Sequence, residues 1–132
     1  MEMLLVDDDK FFTLMAKTMV TKTGLHSSPK AFENGFVALE YLKNNYTPQE
    51  KYLIFVDINM PIMNGWEFLE GINEVGGSPN NIFVVMVSSS VDYADIQRAL
   101  KHPYVREYLI KPLSIQNMTD LKKNHLLAPL FE

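Results

Sequence analysis

The sequence predicts an α/β fold: a parallel sheet of five strands with helices on both faces. Three observations predict it. Short, near-continuous apolar runs recur along the chain, as expected of strands buried on both faces. Between them lie segments whose apolar residues repeat at helical spacing. The two kinds of segment alternate five times, the pattern of a sheet covered by its own crossover helices.

Residues 3–6 form the first strand. Over residues 10–23, Phe12, Met15, Ala16, Met19 and Val20 fall on one helical face, and Gly24 stands where a helix-ending glycine belongs. Residues 26–31 predict a weaker, more polar strand, in which Pro29 suits a sheet edge. Asn34 caps a helix carrying Ala38, Leu39 and Leu42. Residues 52–56 are a second fully apolar run, followed by a helix over 64–74 with Phe68, Leu69 and Ile72 on one side. Residues 75–81 are a Gly-, Ser-, Pro- and Asn-bearing loop, longer than such a connection needs. Residues 82–87 are the strongest strand, mostly β-branched or aromatic. A helix over 91–101 turns Ile96, Ala99 and Leu100 inward, residues 104–110 form the last strand, and residues 115–123 the last helix. After Asn124 the chain is apolar but short. Right-handed crossovers leave few topologies. The flavodoxin-like (βα)5 three-layer sandwich, with strand order 2-1-3-4-5, places the weak second strand at an edge.

Composition narrows the function. The 132 residues suit one domain, and 47% hydrophobic residues argue against disorder. No repeat or linker is visible, so one domain over residues 1–132 with no output domain is expected. The absence of cysteine excludes disulfides and thiolate metal sites. Asp7, Asp8 and Asp9 arrive too early for a signal peptide, and no apolar run reaches the ~20 residues that span a bilayer. The cytoplasm is the expected compartment. A net charge of −4 with no basic run argues against nucleic-acid binding.

Open α/β sheets bind ligands beyond the carboxyl ends of their strands. At those ends stand Asp7, Asp8 and Asp9; then Asp57; then Ser88, Ser89 and Ser90; then Lys111 and Pro112. This set suits phosphoryl transfer to a carboxylate. Asp is a known nucleophile of that chemistry. Charge on the phosphoryl group is offset by Mg²⁺, a hard ion held by carboxylates, other oxygens and water. Asp8 and Asp57 can bind it directly, the Asn59 carbonyl can be a third ligand, and Asp7 can act through water. Lys111 offers a compact positive charge and the Ser88 hydroxyl a hydrogen bond to phosphoryl oxygens. The plainer readings give Asp9 and Ser90 to helix capping, Trp66 to packing, and His26, His102 and His125 to the surface.

The motifs Val-Asp-Asp-Asp from Val6, Val-Asp-Ile-Asn-Met-Pro-Ile-Met-Asn-Gly from Val56, Met-Val-Ser-Ser-Ser from Met86 and Tyr-Leu-Ile-Lys-Pro from Tyr108 occur in this order at strand ends. Together they resemble the receiver domain of bacterial response regulators, of the single-domain, CheY-like kind, over nearly the whole chain. The resemblance implies that Asp57 is the phosphoacceptor and that Asp7 and Asp8 form the acidic pair, with Asp8 the direct metal ligand. It implies main-chain coordination by Asn59, a switch hydroxyl at Ser88 and a switch aromatic at Tyr108. It also implies a phosphate-contacting Lys111 followed by a cis bond to Pro112. Residues 59 and 90 would tune phosphoryl lifetime. The implied partners are a histidine kinase or phosphotransfer protein and a downstream protein target, with no nucleic acid and no membrane. The segment 100–104 departs from the family's small-residue turn before the last strand. Three rivals remain: a haloacid-dehalogenase-like phosphatase, which needs a second Asp where Asn59 stands; a pseudo-receiver binding module; and a flavin protein, which rests on fold analogy alone.

Overall fold

The computed structural model describes residues 1–131. The strands are β1 (Glu2–Val6), β2 (Lys30–Phe32), β3 (Tyr52–Val56), β4 (Ile82–Ser88) and β5 (Val105–Ile110). The helices are α1 (Lys10–Lys22), α2 (Gly35–Asn45), α3 (Gly65–Glu74), α4 (Tyr93–Leu100) and α5 (Ile115–Lys123), followed by a 3-10 segment over His125–Leu130. All strand pairings are parallel, in the order β2-β1-β3-β4-β5. The chain therefore has the (βα)5 flavodoxin-like fold.

The sheet separates two apolar layers. One side packs Leu4, Val6, Ile54, Val56, Val84 and Met86 against residues of α2, α3 and α4. The other packs Leu5, Phe55, Val85 and Val87 against α1, α5 and the 3-10 segment. Alternation along each strand sends consecutive residues to opposite layers. Caps set the helix starts. Asp9 accepts from the Phe11 and Phe12 N–H groups, Asn34 from Val37, and Asn64 with Glu67 forms a reciprocal box at α3. Gly24 has φ +75°, as expected of a residue just past a helix end.

Several expectations need correction. β2 is only three residues and starts at Lys30, because His26 instead engages the Met1 carbonyl at 2.7 Å and Pro29 is buried ahead of the strand. On α1, Met15 is exposed and Thr13 is buried. On α4, Leu100 faces solvent while Ala99 is buried. The α4 cap is Asp92, not Ser90. His26 and His102 are half-buried, and His102 stacks on Tyr104 with ring centroids 5.8 Å apart. The short apolar tail carries the 3-10 segment His125–Leu130, in which Leu127 and Leu130 are buried and the Pro129 carbonyl accepts from the Lys51 ammonium at 2.6 Å. The long loop before β4 is tied down by buried Asn81, which accepts from the Tyr46 hydroxyl and donates to the Thr47 and Glu50 carbonyls.

Candidate functional site

Register brings the site together. Val6 pairs with Val56 and Val56 with Met86, so Asp7 and Asp57, one residue further on, emerge side by side. At the β4–β5 pair the register slips: Val84 lies beside Val105, but Val85 lies beside Glu107. Arg106 is the extra residue. A one-residue shift turns every later side chain to the other face. It puts Tyr108 in the α4 layer with Val105 and places Ser88 beside Ile110, so that Lys111 follows at the rim. Arg106 itself lies over the Phe83 ring and donates to the Pro79 carbonyl, while its buried Nε has no hydrogen-bond partner among the described residues.

At the rim, the Lys111 ammonium donates to Asp7 Oδ2 at 2.8 Å and to Asp57 Oδ2 at 3.1 Å. The second Asp7 oxygen accepts the Asp9 N–H, and the second Asp57 oxygen accepts the Asn59 N–H at 3.2 Å. Asp7 and Asp57 are buried; Asp8 is exposed. One carboxylate oxygen from each of Asp7, Asp8 and Asp57 lies within 4.8 Å of the others. Three carboxylates thus converge where the Lys111 ammonium pairs with two of them, leaving negative charge that a hard cation would offset. Burial pushes the Asp7 carboxyl above its usual range, although its bond to Lys111 pulls the other way. Burial opposes the Lys111 ammonium, but Asp7 and Asp57 outweigh it and hold Lys111 above the usual lysine range. The Lys111–Pro112 bond is cis.

Close approach shapes the loop beneath Asp57. A Cβ on Gly65 would lie 2.6 Å from the Asp57 carbonyl oxygen and 2.9 Å from Ile58 Cα, so only glycine lets α3 start there. Its N–H donates to the Ile58 carbonyl at 2.8 Å.

Ser88 is fully buried, and its Oγ accepts the Ser90 N–H at 3.2 Å. Tyr108 is inward, with its hydroxyl donating to the Ser90 carbonyl at 2.9 Å. Ser88 and Tyr108 therefore meet through Ser90. Among the described residues, neither hydrogen-bonds to Asp57.

The chain as a whole matches a known family. The response regulator receiver domain family matches residues 3–123. The chain belongs to that family. A two-component response regulator from Cytophaga hutchinsonii has a solved structure with TM-score 0.84 and 29% identity, covering 96% of each chain. Chemotaxis protein CheY of Thermotoga maritima is 29% identical over 109 residues, 83% of either chain. The Arabidopsis thaliana two-component response regulator ARR10 is 27% identical over 92% of this chain, which spans only 20% of that protein. As a receiver domain the chain is a two-component signalling module.

Two contacts at the receiver rim were not legible as site features. Phe12, read as a core position, lies with its ring 4.3 Å from the Lys111 ammonium. It also lines an apolar groove of about 380 Å³ with Phe11, Met15, Pro112 and Leu113. Asp95 receives the Ser90 hydroxyl at 2.8 Å. Neither spacing announces a partner so distant along the chain or across a loop.

Proposed function

We propose that the domain accepts one phosphoryl group on Asp57 from a phosphohistidine of a histidine kinase or phosphotransfer protein. The observation that carries this reading is the Lys111 ammonium held between buried Asp7 and Asp57, with Asp8 in reach. The donor set is all oxygen, which fits Mg²⁺. Asp8, Asp57 and the Asn59 carbonyl would hold the ion, with Asp7 assisting through water. When bound, it neutralises charge on the phosphoryl oxygens.

An Asp57 carboxylate oxygen bonds to phosphorus as the donor's phosphorus–nitrogen bond breaks. Lys111, oriented by Asp7, offers its ammonium to a phosphoryl oxygen. Ser88 turns its hydroxyl toward another. Burial of the Asp57 carboxylate limits water around the acyl phosphate, and Asn59 and Ser90 set how soon water removes it. The apolar groove beside Lys111 offers ground for the donor protein to settle on. Ser88 and Tyr108 pass the change to α4 and β5, whose face meets a downstream protein rather than nucleic acid or membrane. The domain works in the cytoplasm and catalyses only its own modification. Asn59 stands where the phosphatase rival needs an acid.

Intact-mass measurement with Mg²⁺ and acetyl phosphate tests this. The chain gains one phosphoryl mass and Asp57→Asn gains none. A wild-type chain that never gains it, or an Asp57→Asn chain that still does, overturns the reading.

A further inference from the structure

Of the eight residues of helix α4, Ala99 alone is buried, and Ile96 packs partly buried against the same apolar layer. A polar attachment adds to this and converges on Ser90. The Ser90 N–H donates to Ser88 Oγ at 3.2 Å. The Ser90 hydroxyl donates to Asp95 Oδ2 at 2.8 Å and accepts the Asp92 N–H at 3.3 Å. The Ser90 carbonyl accepts the Tyr108 hydroxyl at 2.9 Å. One residue thus joins the buried site hydroxyl, the first turn of α4 and the aromatic of β5. Three positions beyond Asp95, the Arg98 guanidinium lies 4.1 Å from the Trp66 ring, tying α4 to α3.

We propose that Asp95 is a positioning residue. By gripping the Ser90 hydroxyl it fixes the Ser90 carbonyl where Tyr108 can reach it, and so holds Tyr108 inward and the Ser88 loop in one arrangement. Without that grip Ser90 loses its side-chain bond to α4, and only the Asp92 cap among the described loop side chains still bonds the helix. The Tyr108 hydroxyl then faces burial without a fixed acceptor, which is unfavourable, and the ring turns outward. The link to phosphoryl chemistry rests on the receiver function proposed above; the latch itself belongs to the unmodified chain.

A carboxylate in a first helical turn also favours the helix through its charge alone. Asp95→Asn separates the two roles, because its amide oxygen still accepts from Ser90 while the charge is gone. Hydrogen exchange across residues 88–96 and fluorine NMR of fluorotyrosine-labelled chain report on the unphosphorylated protein. Asp95→Ala and Ser90→Ala each raise exchange about fivefold, the worth of roughly one net hydrogen bond, and shift the Tyr108 signal. Asp95→Asn stays near wild type, and the double variant goes no further than either single one. Wild-type behaviour of Asp95→Ala, equal disruption by Asp95→Asn, or additive effects in the double variant overturns the proposal. Phosphoryl gain from acetyl phosphate is scored separately. If wild type gains none, the receiver function fails while the exchange result still decides the latch. If wild type gains it, Asp95→Ala gains it more slowly by the same factor; an equal rate overturns the latch's role in the chemistry.

Discussion

Helices α3 and α4 leave adjacent strands of the same sheet, yet they are held in different ways. Helix α3 buries Gly65, Phe68, Leu69, Gly71 and Ile72; α4 buries Ala99 alone. Each large side chain buried on α3 stabilises it by roughly 1.5–3 kcal/mol. α4 supplements buried Ala99 and part-buried Ile96 with directed contacts through Ser90, Asp95 and Arg98. The strand that ends just before Asp57 is thus followed by an anchored helix, which on the proposed function keeps the acceptor in place. The strand bearing Ser88 runs into a helix that energies of about 1–3 kcal/mol, typical of coupling between sites, can move. The proposed function draws on both: a fixed chemical centre and a movable reporter.

Replacing one apolar side chain on each helix tests this directly. Leu69→Ala should cost about 2–5 kcal/mol in urea unfolding. Leu100→Ala, at a residue 48% exposed, should cost within ~0.5 kcal/mol. Comparable losses would erase the contrast. Lys111→Ala comes next. It strips the ammonium from buried Asp7 and Asp57 and should cost about 2–3 kcal/mol without added metal, at or below the lower end for breaking a buried pair because Lys111 is partly exposed. An unchanged urea midpoint would show that the acidic centre does not depend on Lys111. Tyr108→Phe removes one hydrogen bond on the movable side and should cost about 1 kcal/mol, with exchange rising in residues 88–96 rather than in α3. A rise in α3 would mean that the two helices move together.

The smallest effect concerns pH. Burial lowers the His102 pKa below its ordinary 6.5, with Arg98 adding to the shift and Glu70 opposing it. A depressed folded value means that neutral His102 contributes fully above its unfolded pKa, and that this contribution is lost as pH falls through the folded value. Melting between about pH 7.5 and about pH 5.5 should therefore show a few tenths of a kcal/mol lost in wild type and retained in His102→Asn. Equal slopes would remove His102 from the α4–β5 junction's stability.

Strand ends were readable because a carboxylate, hydroxyl or lysine directly after an apolar run has one place to go in a parallel sheet. That is why the rim positions of Asp7, Asp57, Ser88 and Lys111 are legible after their apolar runs, while the roles given them rest on the resemblance to receiver domains. Faces of helices were less readable. Between adjacent apolar residues such as Ala99 and Leu100, or Met15 and Ala16, periodicity does not say which meets the sheet, because the choice depends on the crossing angle of the packed helix. β2 was misplaced because Pro29 and the polar residues around it carry no period of two. The Arg106 slip, which decides where Tyr108 points, left no mark in composition, since Val105 to Ile110 reads as an ordinary strand either way. The Asp95 latch joins residues five apart across a loop–helix boundary, a distance no local pattern encodes.

The 3-10 segment has a practical consequence for anyone who cuts or fuses this chain. The family match stops at residue 123, which invites a boundary there. Such a cut would remove Leu127 and Leu130 and open the apolar layer they share with Met118 and Leu121 of α5. The trimmed product would present a sticky apolar floor opposite the acidic rim and would tend to clump in storage. A reporter joined beyond Phe131 would leave that floor sealed.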